Sequence, residues 1–345
     1  MKYICKTGKH LTAAGILMVL SLISLPGNLL HGQISQVQGK VNSIVVDHEN
    51  TKWFSTDAGI VSYDGNNWIL HDQDDHLPKQ HVRSLTISAD PEGPALWIAS
   101  PQGVTVTRLP ISEQTEVITY SSENAPISSN DVLGVAAGGN AICWIGTARG
   151  VSALSKDSWL TPDYDMHYPE SVFTLFPITS MATNLQGDSL YVGTSGGGVA
   201  RIYRDNLDGI SGASVYAQWG PIDLPSDHIL SIYIEPDGTK WFGTTEGIAR
   251  HTGDNTLDNW TVFTTGDGLI NNFVQAICGD KNGNIWFGTK AGISVFDGST
   301  WISYTKENGL AGNNILSMAT DKNGCIWIGT DTGISSFYQG KFINY

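Results

Sequence analysis

The chain repeats itself, and the repeat decides the fold. The clearest copies read VQAICGDKNGNIWFGTKAGISVFDGSTWISYTKENGLAGNN from Val274 and ILSMATDKNGCIWIGTDTGISSFYQGKFINY from Ile315. The aromatic residue ahead of the Gly-Thr step serves as a ruler. Its marks fall at Trp53, Trp97, Trp144, Tyr191, Trp241, Trp286 and Trp327, 41 to 50 residues apart. That period is one four-stranded propeller blade. Seven units occupy residues 33–345, so the expected fold class is all-β, a seven-bladed β-propeller of four-stranded antiparallel blades. Blades are expected to begin near residues 41, 82, 132, 178, 229, 274 and 315.

Each unit parses into four strands. Strand A follows V-x-S-I-x-x-D, and its third position is always small: Ser43, Ser84, Gly134, Ser180, Ser231, Ala276 and Ser317. An innermost strand crowded against six others near an axis needs small side chains. Turns such as Asp280-Lys281-Asn282-Gly283 lead to strand B, which carries the ruler aromatic. Hairpins such as Asp64-Gly65 and Asp297-Gly298 lead to strand D. The link from D to the next A keeps an apolar residue five positions before strand A, at Leu77, Ile127, Phe173, Leu224, Leu269 and Leu310. That spacing predicts a packed plug between blades. Strand D of the seventh blade comes from residues 341–345, and 33–40 is too short to supply another. The ring is therefore expected to close without strand exchange, blades 1 and 7 meeting by side-chain packing alone.

Lys2, Lys6 and Lys9 precede an apolar run from Leu11 to Leu25, followed by Pro26 and Gly27. This is the pattern of a secretory signal, expected over residues 1–32 with cleavage near Gly32. The run is short of the roughly 20 residues that span a bilayer. The expectation is a periplasmic or secreted protein without stable membrane insertion after cleavage. Cys143, Cys278 and Cys325 lie inside strands without CxxC or Cys/His spacing, so they read as small buried hydrophobes and no metal site is expected. Formal charge is −14, about −17 once the leader lysines are gone, which disfavours nucleic acid and other polyanions.

The units resemble the two-component regulator propeller repeat, with its N-x-I-x-x-D-x-x-G-x-x-W-x-G-T-x-x-G-I core. The copies at Ile229, Val274 and Ile315 match it best. Ser55 replaces the Gly in blade 1, Ala99-Ser100 replaces Gly-Thr in blade 2, and Tyr191 replaces Trp in blade 4. The resemblance implies a periplasmic ligand-sensing propeller of the kind found in hybrid sensor kinases, often answering to oligosaccharides. The chain ends with blade 7, so kinase activity of its own is not expected.

Functional residues should lie where the copies disagree. The residue just before strand A varies most: Lys40, His81, Asp131, Pro177, His228, Phe273 and Asn314, with Asn272 one place earlier in its link. D–A links and B–C loops open on one face of a propeller, around the channel mouth. His81, Asp131, His228, Asn272 and Asn314 would supply hydrogen bonds to vicinal hydroxyls, and Phe273 an apolar face. The alternative is that the Asn and Asp residues only cap turns. The longest D–A link adds Tyr164, His167 and Tyr168, none with a role imposed by the repeat. No catalytic motif, cofactor or metal ligand set stands out. The expectation is a monomeric, exported binding or sensory propeller for a saccharide-like ligand. A lyase acting on a polysaccharide or an antibiotic, with His81 and His228 at the mouth, and a protein-interaction scaffold are the alternatives.

Overall fold

The computed structural model describes residues 32–33, 37, 39–71, 76–79, 81–89, 93–112, 114–139, 142–155, 158–160, 175–203, 212–217, 223–253 and 258–345. They form seven antiparallel sheets, each with strands in the order A-B-C-D. In blade 6 the strands are Val274–Gly279, Ile285–Thr289, Gly292–Phe296 and Trp301–Tyr304. Strand A lines the axis, strand D forms the rim, and a separate apolar cluster fills each of the seven blade-to-blade interfaces. All seven ruler aromatics are buried, and so are the plugs Leu77, Ile127, Leu224, Leu269 and Leu310. Phe173 lies outside the described residues.

The repeat motif has a physical reason at each of its fixed letters. The Thr (Ser100 in blade 2) at the end of strand B donates its hydroxyl to the Gly carbonyl that opens strand C: Thr289 to Gly292 at 2.7 Å, Thr330 to Gly333 at 2.9 Å, Ser100 to Gly103 at 3.1 Å. The same oxygen accepts from the amide two residues on, as at Ala291. The loop Gly is indispensable: Gly292 has φ 132°, and a Cβ there would lie 2.3 Å from the Tyr304 carbonyl oxygen in strand D. The Asp that ends V-x-S-I-x-x-D caps the A–B turn and accepts from the ruler indole. Trp53 reaches Asp47 at 3.0 Å, Trp286 reaches Asp280 at 3.1 Å and Trp327 reaches Asp321 at 3.2 Å. These carboxylates are already committed, so the turns are structural. In blade 3 the equivalent position is Gly138, and the buried Trp144 Nε1 has no partner. A Cβ on Gly138 would sit 2.3 Å from Gly187 Cα of blade 4, so this blade has no room for the acid.

Closure follows the expected route with two additions. Blade 7 holds only its own four strands, the last at Lys341–Asn344, and no strand is exchanged. Gly32–Gln33, however, adds a fifth strand to the rim of blade 1, pairing antiparallel with Leu70 and Ile69. Two residues suffice to pair with that open edge, which the length argument did not allow for. Blades 1 and 7 also meet by more than packing. Phe54, Tyr63, Trp68, Trp327 and Tyr345 form one aromatic cluster, and Val37 supplies the missing seventh plug. Ser317 Oγ donates to the Val41 carbonyl at 2.8 Å, and the buried Lys52 Nζ lies 3.8 Å from the buried Asp321 carboxylate.

Candidate channel-mouth site

In six blades a β-bulge separates the first and third residues of strand A, as between Val274 and Ala276. A bulge re-aims the residue it contains. Here the second residues, Asn42, Leu133, Thr179, Leu230, Gln275 and Leu316, line the central cavity. Blade 2 departs from this: its ladder begins at Ser84 rather than Val82, with Arg83 at the same lining position. The cavity is about 500 Å3 and is walled otherwise by strand A serines, threonines and aliphatic residues.

The lining residues tie neighbouring blades together. Thr179 Oγ1 donates to the Ile229 carbonyl at 2.5 Å, Gln275 Nε2 to the Ile315 carbonyl at 2.7 Å, and Arg83 Nη1 to the Val132 carbonyl at 3.4 Å. In blades 5 and 7 the third-position serines do this work, Ser231 to Val274 and Ser317 to Val41. The small third residue therefore has a bonding role beyond the taper that sequence alone suggested.

Above the cavity the residue before strand A pairs with the first residue after the Thr of the same blade. Asp331 N donates to the Asn314 carbonyl, Thr245 N to that of His228, Ala148 N to that of Asp131 and Ser195 N to that of Pro177. Lys40 N donates to Asp57 at 3.2 Å, and Lys290 Nζ sits 3.5 Å from the centroid of the Phe273 ring. Each expected residue can then be placed. His81 is exposed on left-handed backbone at φ 58°. Asp131 is half-exposed, with Oδ1 2.8 Å from Arg83 Nη1. His228 is exposed, its Nδ1 3.4 Å from Ser195 Oγ. Asn314 accepts from Gln275 at 2.9 Å and donates to Asp331 at 3.4 Å. Asn272 differs, because its side-chain oxygen accepts from Thr265 N at 2.8 Å within its own link. Asn130 and Asn313 do the same for Ser122 and Lys306, so this position is a link cap. Tyr164, His167 and Tyr168 lie outside the described residues. Sequence reasoning missed Arg83, Gln275 and Thr179, and the loop partners Ser195, Lys290 and Asp331.

Chemically, the described mouth residues offer hydrogen-bonding groups of both polarities, among them the Arg83 guanidinium and the Phe273 ring. Among the described residues no group of three His, Cys, Asp or Glu side chains is placed to hold a metal ion, and no helix is long and apolar enough to cross a membrane.

Residues 268–291 and 309–332 match the sequence profile described as the two component regulator propeller. Among curated proteins none matches the chain. Solved structures show the same fold. The extracellular domain of BT3049 from B. thetaiotaomicron, described as part of a hybrid two component system, superposes with a TM-score of 0.69 at 24% identity; the match covers 89% of this chain and 39% of that one. PorZ of Porphyromonas gingivalis, described as a surface component of the type-IX secretion system, gives 0.66 at 17% identity, covering 87% of this chain and 46% of that one. Virginiamycin B lyase from Staphylococcus aureus gives 0.62 at 14% identity, covering 88% and 97%. The chain thus spans well under half the length of the sensor domain it resembles. The units at 268–291 and 309–332 match the two component regulator propeller repeat, and they form part of a seven-bladed propeller.

Proposed function

We propose that this chain is an exported ligand-binding propeller of the sensory kind, and that its channel mouth takes a small saccharide-like molecule. One observation carries the reading. Seven equivalent positions, each two residues ahead of a cavity-lining residue, hold Lys40, His81, Asp131, Pro177, His228, Phe273 and Asn314, while the first and third residues of strand A stay aliphatic and small. Divergence at the mouth and along the cavity wall of a symmetric scaffold gives it one asymmetric pocket. A cavity of about 500 Å3 with few polar anchors suits a small molecule. Export is supported by the basic and apolar N-terminal pattern and by the likeness to an extracellular domain.

A thermal-shift screen against oligosaccharides, with and without divalent metal, tests the reading. A ligand at 1,000 times its Kd adds about 4 kcal/mol of apparent stability. Turnover of a bound ligand would instead favour the lyase reading, and no shift across the panel would count against saccharide binding.

A further inference from the structure

Of the described residues that line the cavity, Arg83 alone is ionised, in a chain whose formal charge is −14. Its place in the fold does not demand that charge. Thr179 and Gln275, at the same position in blades 4 and 6, make the same tie to the next blade with neutral side chains. The guanidinium is also only partly used. Nη1 serves Asp131 at 2.8 Å and the Val132 carbonyl at 3.4 Å. Nε and Nη2 carry no partner among the described residues, and the side chain is about one-third exposed at 35%. Asp131 therefore fixes the plane of the fork on one edge and leaves the other for a guest. A planar fork with free parallel N–H groups matches a carboxylate in bidentate geometry.

We infer that the molecule bound at the mouth carries a single carboxylate, held by the Nε/Nη2 edge of Arg83. This rests on the mouth reading above and narrows it to acidic, monoanionic ligands: a uronate-bearing saccharide or another small carboxylic acid. Long-range repulsion by the acidic protein penalises a polyanion, but costs a single charge little at physiological ionic strength, where screening acts within about 8 Å.

Titration of the full chain with three probes tests this: a glucuronate-bearing disaccharide, its carboxyl-reduced counterpart, and lactate. The acidic disaccharide should bind at least about tenfold more tightly than the reduced one. Arg83→Gln, which installs the residue blade 6 already uses, should abolish that preference while leaving the melting temperature unchanged. Lactate matching the disaccharide would assign the site to small carboxylic acids, and lactate failing would assign it to uronates. Both keep the carboxylate. Equal binding of acidic and reduced sugars, weakened alike by Phe273→Ala, overturns the carboxylate and leaves the mouth reading standing. A preference unchanged in Arg83→Gln overturns the role of Arg83. Binding of none of the probes overturns the carboxylate inference, and the wider oligosaccharide screen then decides the mouth reading separately.

Discussion

Asp321→Ala should destabilise the ring far more than Asp280→Ala, although the two aspartates occupy the same place in neighbouring blades. Asp280 accepts from the amides of Asn282 and Asn284 at 2.8 and 2.9 Å and from the Trp286 indole at 3.1 Å. Asp321 accepts from the amides of Asn323 and Cys325, both at 2.9 Å, and from Trp327 at 3.2 Å. Asp280 also accepts from Asn284 Nδ2 at 2.7 Å, a bond that Cys325 cannot make to Asp321. Loss of the shared set costs about 3 kcal/mol in either blade, taking bonds to a charged group at roughly 1.5–3 kcal/mol each and not fully additive, and the extra bond adds about 1 kcal/mol on the Asp280 side. Only Asp321 also faces a buried lysine. Lys52 Nζ lies 3.8 Å away, with both side chains 4% exposed, and its remaining contacts are the Asn50 carbonyl at 2.8 Å and the faces of Tyr63 and Trp327. Coulomb attraction at that separation is about 4 kcal/mol for an effective dielectric of about 20. Breaking a buried pair from one side costs about 3–5 kcal/mol. Urea unfolding followed by tryptophan fluorescence and circular dichroism should place Asp321→Ala about 3 kcal/mol below Asp280→Ala. Adding Lys52→Met, which keeps the stem between Tyr63 and Trp327, should recover most of that gap. Equal losses for the two alanine variants, or no rescue by Met, would refute the buried-charge account of ring closure.

Other expectations follow from the same geometry. Trp286→Phe should cost about 1–2 kcal/mol more than Trp144→Phe in the same unfolding assay, because only Trp286 gives up an indole hydrogen bond. Gly292→Ala should cost several kcal/mol through its collision with Tyr304, whereas Gly298→Ala, at φ 99° with open space around it, should cost about 1–2 kcal/mol of backbone strain. Burial pushes the Cys278 thiol up to about 12 and that of Cys325 up to about 11. The unfolded chain therefore releases these protons first, and stability should fall as pH rises from about 9 towards those values. Iodoacetamide at pH 8 should accordingly label Cys278 only after denaturation, and rapid native labelling would contradict its burial. His228→Ala combined with Phe273→Ala should weaken ligand binding about tenfold or more, and the exposed His228→Ala alone should change stability by under about 0.5 kcal/mol.

The fold was legible because each blade must solve the same packing problem, so the ruler aromatics, loop glycines and link plugs recur at near-constant spacing. The short rim strand at Gly32–Gln33 was not, since a two-residue pairing leaves no periodic trace. Of the mouth, the variable residue before strand A could be read from the alignment of the copies. Its partners could not. The bulge that turns Gln275 and Thr179 toward the axis has no fixed sequence signal, and Arg83 falls inside an otherwise ordinary strand pattern. A hint was present: polar residues at the second position of strand A in blades 1, 2, 4 and 6, where apolar ones stand in the others. The capping role of Asn272 was also readable in principle, because Asn130 and Asn313 recur at the same offset, and regular recurrence points to structure rather than to a ligand.

Hydrogen exchange, measured with and without the saccharide that shifts the melting temperature most, tests the channel-mouth claim most directly. Protection should appear at 81–83, 131–133, 228–230, 273–275 and 314–316. It should be absent from the A–B turns at 280–284 and 321–325 on the opposite face. Protection confined to those turns, with the strand A starts unchanged, would place the ligand on the other side of the disc and contradict the account.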